Sequence, residues 1–308
     1  MPEISEVLIT SDFLNIYCKN YEINDIKILK GRYKNHPNSM KEYEMIKKNL
    51  PVKIKNINTK GKFLWFELEN KNKEKIYLLN TFGMSGSWDF IKENNSNVEF
   101  SIKKNKEVKK LYFTDPRNFG TITFSNKETL DNKLLCLGED LLKNKLDSQI
   151  LKKRLENYIK VSKKRCNNKI VKVLMGQSKK DGIGSGIGNY LSAEILYDAK
   201  ISPHKTVKEI YNDNKLIKKL TKSIKLIIKL SYYCNYIGYM ERFEDFKKIH
   251  DKLVKNKKIN DYHMDVNIKN KKFLFNVYRQ KLDKNKNKVK GEKIINGRTT
   301  YWVPKVQL

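Results

Sequence analysis

Cysteine and histidine are scarce in this chain of 308 residues. The four cysteines lie far apart, and no two of them form a C-x-x-C pair; they are Cys18, Cys136, Cys166 and Cys234. The four histidines show no spacing typical of metal ligands. A disulfide framework and a cysteine-built zinc site therefore lack support, and we predict no bound metal ion. Unpaired cysteines indicate a reducing, intracellular compartment.

Long apolar runs are also absent. No stretch of about 18 apolar residues occurs, so we expect no membrane-spanning helix and no membrane partner. The first residues include Glu3, Glu6 and Asp12, where a secretory signal would need an apolar core. Hydrophobic residues still make up 39% of the chain, which is enough for folded cores and argues against wholesale disorder.

Acidic residues are few in comparison with basic ones. The 34 Asp and Glu residues stand against 65 Lys and Arg residues, which gives a net charge of +31. Such an excess favours a polyanionic partner, either a nucleic acid or an anionic membrane surface. The chain is rich in Lys and Asn along its whole length, however, and a general drift toward these residues would give the same charge without any binding role. The charge therefore permits a polyanion partner but does not assign one.

The hydrophobic period in the first part of the chain changes from helical to strand-like. Residues 3–19 are predicted to form a helix, because small and apolar residues recur at steps of three and four: Ile4, Val7, Leu8, Ser11, Leu14 and Cys18. From about residue 21, apolar and polar residues alternate, which predicts strands. These strands contain Ile26 and Ile28, Val52 to Ile57, Phe63 to Leu68, and residues 76–81, 97–103, 110–114 and 121–124. The pattern predicts one helix followed by a β-sandwich or barrel.

After residue 145 the period returns to that of helices. We predict helices over 147–162, 168–175, 187–200 and 206–233, with Pro203 separating the last two. A Lys- and Asn-rich loop is expected over 240–270, followed by strands near 273–280, 289–295 and 298–303. Asn296-Gly297 lies between the last two strands and predicts a two-residue hairpin turn, since both positions of such a turn need positive φ.

The N-terminal residues Met1-Pro2-Glu3 include an amine and a carboxyl group suited to covalent catalysis. Removal of Met1 would leave Pro2 with a free amine, and an α-amino group has a pKa of about 7.7–8.0 against about 10.4 for lysine. A neutral amine beside a carboxylic acid can attack a carbonyl-like carbon and form an iminium. The structural alternative is that Pro2 and Glu3 simply suit the first turn of a helix. These residues alone favour that alternative.

A run of glycines, Gly182 to Gly188, precedes the predicted helix that contains Leu191 to Ala199. Backbone N–H groups at such a place can bind an anion. The spacing fails the dinucleotide pattern G-x-G-x-x-G, and no G-K-[ST] follows, so a nucleotide-binding protein is disfavoured. We therefore predict a phosphate contact of the DNA-backbone kind.

Six motifs occur along the chain: Met1-Pro2-Glu3-x-x-Glu6, Gly61-Lys62-Phe63-Leu64, Phe82-Gly83-Met84-Ser85-Gly86, Asp115-Pro116-Arg117-Asn118-Phe119-Gly120, Gly186-Ile187-Gly188-Asn189-Tyr190 with Ala193-Glu194-Ile195-Leu196, and Asn296-Gly297-Arg298-Thr299-Thr300-Tyr301. Together they resemble the formamidopyrimidine-DNA glycosylase/endonuclease VIII family. They occur in the family's order over residues 1–302. The fourth motif departs from the family's D-P-R-R-F-G at Asn118, and Thr81 replaces a histidine that is frequent in bacterial members.

The C-terminal hairpin departs from the family pattern in a way that bears on metal binding. Where the family carries C-P-x-C, this chain has Val303-Pro304-Lys305-Val306. The resemblance therefore points to the Nei-like branch with a zincless finger. We expect Val303 and Val306 to pack where a metal's thiolates would otherwise sit, with Tyr301 or Trp302 adding apolar area.

The resemblance implies roles for individual residues. Pro2 would be the nucleophile that forms a Schiff base with the sugar, Glu3 the acid that assists, and Glu6 a supporting carboxylate. Lys62, Asn189 and Arg298 would contact DNA phosphates or sugar oxygens near the lesion, and Lys62 and Arg298 are also assigned to the catalytic set. Taken alone, Lys62 and Arg298 would be solvated surface residues, Glu6 a solvated helix residue and Asn189 a helix N-cap.

Three further residues are implied to fill the gap left when a damaged base is extruded from the helix. They are Met84, Arg117 and Phe119. Extruding a base costs a few kcal/mol, and apolar wedges together with an arginine recover part of that cost. The alternative for Met84 and Phe119 is that they are core residues.

The sequence thus predicts an α+β protein. An N-terminal helix plus β-sandwich domain (1–145) precedes a helical helix-two-turn-helix domain (146–235), and a loop with a zincless-finger β-hairpin follows (236–308). The resemblance implies a bifunctional DNA glycosylase/AP lyase of base excision repair that removes oxidised pyrimidines and further-oxidised purines without a cofactor. Its partner would be damaged DNA, duplex or single-stranded, and we expect a monomer located wherever DNA is. The alternative is a non-catalytic damaged-DNA-binding protein of the same fold.

Overall fold

The computed structural model describes residues 2–36, 40–235, 238–255, 262–295 and 297–308. Its contacts divide the chain into two compact units. The first contains Pro2 and residues 6–135, and the second contains residues 3–5 and 136–308. The boundaries that we place at residues 145 and 235 stay predictions.

The first unit is built on one antiparallel sheet of eight strands, in the order β5-β7-β6-β1-β2-β3-β4-β8. The strands are β1 (Glu22–Ile28), β2 (Val52–Lys60), β3 (Phe63–Glu69), β4 (Lys75–Thr81), β5 (Ser87–Asp89), β6 (Ser96–Lys104), β7 (Glu107–Thr114) and β8 (Thr121–Ser125). Helices α1 (Ile4–Cys18), α2 (Arg32–Asn35), α3 (Tyr43–Asn49) and α4 (Lys127–Cys136) accompany it. The predicted N-terminal helix and strands are confirmed, whereas β5, α2, α3 and α4 were not predicted.

The sheet folds over on itself around Trp88, so the sandwich prediction is confirmed. Trp88 lies on β5 and is fully buried, and its ring lies 5.1 Å from that of Phe66 on β3. Four strands separate β5 from β3 in the sheet order, so the two rings can meet only if the two halves of the sheet face each other. The Trp88 Nε1 group also donates to Asn80 Oδ1 on β4, at 3.0 Å, which satisfies its buried polar atom.

Helix α1 is tied to the sheet through polar contacts as well as apolar ones. Ser11 Oγ and Asn15 Nδ2 both donate to the carbonyl of Ile57 on β2, at 2.8 and 2.7 Å. Asn15 Oδ1 in turn accepts from the Ile57 N–H at 3.0 Å. The predicted face of the helix is buried, including Cys18.

The second unit is mainly helical. It contains α5 (Ser148–Val161), a 3₁₀ helix (Lys163–Asn167), α6 (Ile170–Leu174), α7 (Asn189–Ala199), α8 (Val207–Asn212), α9 (Asn214–Tyr233), α10 (Gly238–Arg242) and α11 (Glu244–Lys255). Strands β9 (Lys290–Ile295) and β10 (Arg298–Trp302) form the C-terminal hairpin. All residues of α7 except Asn189 and Asp198 are buried, so this helix is the centre of the unit. Asn296 of the predicted turn lies outside the described residues, and Gly297 has φ +73°.

Three predictions for this unit are wrong. The helix expected over 206–233 divides at Asp213, because the Asp213 carboxylate accepts the N–H groups of Lys215 and Leu216 and starts a new helix. The stretch 240–270, expected to be a loop, contains the end of α10 and all of α11. The strand expected over 273–280 does not form, because the carboxylate of Glu194 takes the backbone N–H groups of residues 276–278 that would otherwise join a ladder. Within the described ranges, no helix is long and apolar enough to cross a membrane.

Candidate active site

Lys62 lies in the turn that joins β2 to β3. Lys60 pairs with Phe63, so Gly61 and Lys62 form a two-residue turn. Gly61 has φ +58°, a conformation that favours glycine. The hairpin therefore fixes the backbone position of Lys62, whose side chain is half-buried.

Met84, Arg117 and Phe119 are brought together by two loops of the first unit. The loop that contains Met84 follows β4, and the loop that contains the other two joins β7 to β8. Arg117 Nη1 lies 3.7 Å from Met84 Sδ. Met84 is 43% exposed and Phe119 is 59% exposed, so the alternative that they are core residues is wrong. Large exposed apolar side chains next to an arginine suit insertion into a base stack.

A buried carboxylate connects these two loops. Asp115 accepts from Ser85 Oγ at 2.6 Å and from the Gly120 N–H at 2.5 Å. It also accepts from the Arg117 N–H at 3.3 Å. Sequence reasoning identified Asp115 only as part of a motif. An Asp followed by Pro is a turn signal that could have indicated this role.

Asn118 holds the second loop in a left-handed conformation. Its φ is +56°, which asparagine tolerates better than most residues. Asn118 Oδ1 accepts from Asn97 Nδ2 at 2.9 Å and from the Arg32 N–H at 3.2 Å. Asn97 Oδ1 accepts from the Asp115 N–H at 2.5 Å. The departure from the family motif thus lies at a position that shapes the loop between Arg117 and Phe119.

Glu3 caps helix α7 of the second unit. Its carboxylate is fully buried and accepts the N–H groups of Gly188, Tyr190 and Leu191 at 2.5, 2.9 and 3.3 Å. The first N–H groups of a helix have no partner within the helix, and negative charge is favoured at that end. Pro2 immediately precedes Glu3 and is half-buried, and Glu6 lies half-buried in the first turn of α1.

The glycine run has a packing role that the sequence did not predict. A Cβ atom on Gly188 would overlap the Glu3 carboxyl group, and one on Gly186, which has φ +120°, would overlap the Ile4 side chain. The glycines therefore allow residues 3–5 to approach α7. The N–H groups of Gly188, Tyr190 and Leu191 are taken by Glu3, and that of Gly186 is taken by Gln177 Oε1 at 2.9 Å. These four amides are therefore engaged within the chain, and the phosphate contact expected of the glycine run stays a prediction.

Asn189 connects α7 to the C-terminal hairpin. Its Nδ2 group donates to the Thr299 carbonyl at 3.0 Å, beside the exposed Arg298. The helix N-cap is Gly188, so the reading of Asn189 as an N-cap is wrong. In the part of the chain that the structure describes, Asn189 Oδ1 is buried and has no hydrogen-bond partner.

The hairpin packs on α7 through an apolar cluster. Val303 is fully buried with Ala193, Tyr197, Val277 and Val289, and Tyr301 and Val306 pack against this cluster. The apolar packing expected of Val303, Val306 and Tyr301 is thus observed, and their taking the place of metal-binding thiolates stays a prediction. Trp302 instead contacts the ring of His204, and its Nε1 group donates to Glu292. Within the described ranges, no three His, Cys, Asp or Glu side chains are grouped so that they could hold a metal ion.

A buried carboxylate orders the loop that leads into the hairpin. Asp283 accepts from the Asn285 N–H at 2.9 Å, from the Asn287 N–H at 2.8 Å and from the Tyr197 hydroxyl at 3.0 Å. Burial, together with the hydrogen bond to Asp283, raises the pKa of Tyr197. Burial acts to raise the pKa of Asp283, but the hydrogen bonds from Asn287 and its other donors hold it below the usual value. Sequence reasoning did not identify this role of Asp283.

Comparison with known proteins agrees with these features. The model for the formamidopyrimidine-DNA glycosylase N-terminal domain matches residues 1–122, and the model for the C-terminal domain matches residues 264–308. A formamidopyrimidine-DNA glycosylase of Ureaplasma parvum is 32% identical over 243 residues, which cover 75% of this chain and 78% of that protein. The chain belongs to the formamidopyrimidine-DNA glycosylase family. It is accordingly a DNA glycosylase of base excision repair.

Other members extend the similarity over the whole length. The formamidopyrimidine-DNA glycosylase of Prochlorococcus marinus (strain MIT 9301) is 27% identical over 334 aligned residues, which cover both proteins completely. The Lactococcus lactis enzyme in a complex with DNA containing an abasic site has a TM-score of 0.72, at 19% identity and 99% coverage of both chains. MutM in complex with DNA containing carbocyclic 8-oxo-G has a TM-score of 0.71, at 19% identity and full coverage. These two structures share the fold of this chain.

Proposed function

We propose that this DNA glycosylase removes oxidised bases through a Schiff base at Pro2 and then cleaves the strand by elimination. The observation that carries the proposal is the buried Glu3 carboxylate, which three backbone N–H groups of α7 hold in place. Because Glu3 directly follows Pro2, this arrangement restricts where the Pro2 amine can lie. An amine and a carboxyl group in adjacent positions are the two groups that the reaction needs.

The proposed reaction has two stages. The neutral Pro2 nitrogen attacks C1′ of the damaged nucleotide, the N-glycosidic bond breaks, and the base leaves with a proton from solvent. Glu3 transfers the proton that the Pro2 nitrogen loses to the ring oxygen, so the C1′–O bond breaks, the sugar ring opens and an iminium joins Pro2 to C1′. Loss of a proton from C2′ then breaks the C3′–O bond and cleaves the strand, and hydrolysis of the iminium returns the amine. No cofactor enters these steps.

The remaining residues would bind and distort the DNA. Lys62, Asn189 and Arg298 would contact phosphates or sugar oxygens, since lysine and arginine offer positive charge and asparagine offers an amide donor. Met84, Arg117 and Phe119 would fill the gap left by the flipped base. We propose oxidised pyrimidines and further-oxidised purines as substrates; the substrate class rests on the resemblance to the Nei-like branch.

Covalent trapping tests the proposal. The protein is incubated with a duplex containing an oxidised pyrimidine, and borohydride is added to reduce the iminium. We expect a stable protein–DNA adduct whose mass, after proteolysis, maps to the peptide that begins at Pro2. An adduct on a lysine side chain would refute the assignment of Pro2, and strand cleavage without any adduct would refute the Schiff base.

A prediction concerns Asn118 and the gap-filling loop. Asn118→Ala should lower excision from duplex DNA by about 10-fold, because alanine disfavours positive φ and removes the acceptor for Asn97 and Arg32. Excision from a single strand should change little, because a single strand has no opposite base and no stacked gap to fill. Asn118→Asp keeps the acceptor and should restore most duplex activity. Rates on matched duplex and single-stranded substrates measure the effect.

The matched control for this prediction is Asn105→Ala. Asn105 also has positive φ, at +54°, but lies in the turn between β6 and β7. Asn105→Ala therefore places alanine at a positive φ with the same energetic cost, but in a turn without a predicted DNA role. Equal losses on duplex and single-stranded substrates for Asn118→Ala would show that Asn118 supports only the fold.

A further prediction is that the hairpin works without zinc and delivers Arg298 to DNA. Arg298→Ala should weaken DNA affinity or strand cleavage about 10-fold with little change in melting temperature, because its side chain is exposed. Lys293→Ala removes the same charge from an exposed position on β9 and is the control. Metal analysis should find no stoichiometric zinc, and a chelator should leave activity unchanged. Bound zinc, or wild-type activity of Arg298→Ala, would contradict this account.

A further inference from the structure

A partly exposed apolar segment lies outside the site residues assigned above. We call residues 273–278 the aromatic segment; its sequence is Phe-Leu-Phe-Asn-Val-Tyr. Leu274 is 66% exposed and Phe275 is 43% exposed. Adjacent large apolar side chains that face solvent form a patch of the kind that marks binding surfaces.

The aromatic segment is held in a fixed conformation. Glu194 of α7 is buried, and its carboxylate accepts the N–H groups of Asn276, Val277 and Tyr278, each at 2.9 Å. Asn276 Nδ2 donates to the same carboxylate at 3.1 Å. Freeing several backbone groups from a buried carboxylate would be costly. The backbone that follows Leu274 and Phe275 is therefore held rigidly, which fixes the position of these two side chains.

The rings of the segment form a continuous series. Phe275 lies 5.5 Å from Phe273, 5.4 Å from Tyr190 and 5.5 Å from Tyr278. Tyr278 lies 5.4 Å from Tyr301 on β10. The series therefore runs from the start of α7 to the C-terminal hairpin. Asn189 and Thr299 meet at the same two elements, so the series continues from the residues proposed to contact DNA.

Basic residues flank the aromatic segment on both sides. Residues 271–281 contain four basic and no acidic side chains, and all four are exposed: Lys271, Lys272, Arg279 and Lys281. The Arg279 guanidinium lies 5.4 Å from the centre of the Tyr278 ring. Exposed rings surrounded by cations are the combination that binds single-stranded nucleic acid, since bases stack on the rings and phosphates pair with the charges.

We propose that Leu274 and Phe275 form a platform on which an unpaired DNA base stacks. The ligand class is a single DNA strand, and charge complementarity favours it over an apolar protein partner. This inference rests on the proposed function, because the platform would support the same damaged DNA. It extends that function by giving the enzyme a direct means to bind lesions in unpaired regions.

Variants of the exposed positions test the platform. Phe275→Ser should weaken binding of a lesion-containing single strand by about 5- to 140-fold, the range that loss of one stacked base gives. Leu274→Ser should have a smaller effect in the same direction, and Phe275→Trp should keep wild-type affinity. Val161→Ser is the control, because Val161 is 53% exposed at the end of α5 and the change also leaves the charge unaltered. Fluorescence anisotropy with matched single-stranded and duplex oligonucleotides measures the affinities.

A second measurement separates stacking from a loss of folding. A 2-aminopurine base placed beside the lesion in the single strand should be quenched on binding to the wild type and to Leu274→Ser, and less so with Phe275→Ser. The platform would be overturned if Phe275→Ser bound the single strand within twofold of the wild-type affinity. It would also be overturned if Phe275→Ser lost equal affinity for the single strand and for the duplex.

A separate experiment tests the proposed function independently of the platform. Borohydride trapping on duplex DNA with the wild type reports the Schiff base whatever the platform does. Trapping together with unchanged single-strand binding in Phe275→Ser refutes the platform alone. A wild type that does not trap but binds single strands through Phe275 refutes the proposed chemistry and leaves the platform supported.

Discussion

A chain with extra residues ahead of Pro2 should form no borohydride-trapped adduct and cut no lesion-containing strand. The extension places the Pro2 nitrogen in a peptide bond, where its lone pair is delocalised and cannot attack C1′. DNA affinity should stay within a few-fold of that of the processed protein, because the residues proposed to contact phosphates are unchanged. Trapping yield, strand cleavage and anisotropy with the same duplex measure the three properties.

The control for this experiment is the same extended chain after proteolytic removal of the extension. Intact mass then confirms that Pro2 is the first residue, and activity should return. Pro2→Gly should likewise lose the adduct. Full cleavage by the extended chain would show that another amine is the nucleophile, and inactivity after correct removal would favour the non-catalytic binding protein.

Glu3→Gln should lower base removal by about 100-fold or more, while DNA affinity changes only a few-fold. General acid–base catalysis contributes about 10²–10⁴-fold, and an amide cannot donate the proton. The structure adds a second expectation. One oxygen of Glu3 accepts from Tyr190 and the other from Gly188 and Leu191, so the amide NH₂ of glutamine must face at least one N–H donor. We therefore expect a measurable fall in melting temperature as well.

Gly188→Ala tests the same position without changing the chemical identity of Glu3. The added Cβ would overlap the Glu3 carboxyl group and displace it, so base removal should fall as it does in Glu3→Gln. Gly238→Ala is the control, because the nearest atom to its Cβ would be at 3.8 Å. Single-turnover base removal, DNA affinity and melting temperature are measured for all three variants. Equal losses of affinity and turnover would indicate that Glu3 serves only to join residues 3–5 to α7.

Local patterns predicted most elements of secondary structure correctly. The face of α1 and the alternation in β2 and β3 are properties of neighbouring residues, so a short window contains the information. The predictions failed where a distant side chain intervened. Residues 276–278 have strand-forming neighbours, but Glu194, which lies 82 positions or more before them, takes their N–H groups. The division of the predicted helix at Asp213 has a local cause instead, because an aspartate is a common N-cap residue and its signal is contained in the sequence around it.

The candidate site shows the same division. The motifs identified Pro2, Glu3, Lys62, Asn189 and Arg298 as a set, and their assigned roles stay predictions. The motifs did not reveal what the glycine run binds. A helix N-terminus attracts any anion, and sequence alone does not distinguish a DNA phosphate from a carboxylate 185 residues away in the chain.

The sequence by itself determined the N-terminal helix, most strands of the sandwich, the family motifs and the absence of cysteines from the hairpin. Only the tertiary structure decided that Glu3 caps α7, that Asp115 and Asn118 shape the loop of Arg117 and Phe119, and that Leu274 and Phe275 face solvent. The physical reason is the range of the interactions. Hydrophobic periodicity depends on neighbours along the chain, whereas buried carboxylates bind whichever N–H groups the fold brings to them, however distant in sequence.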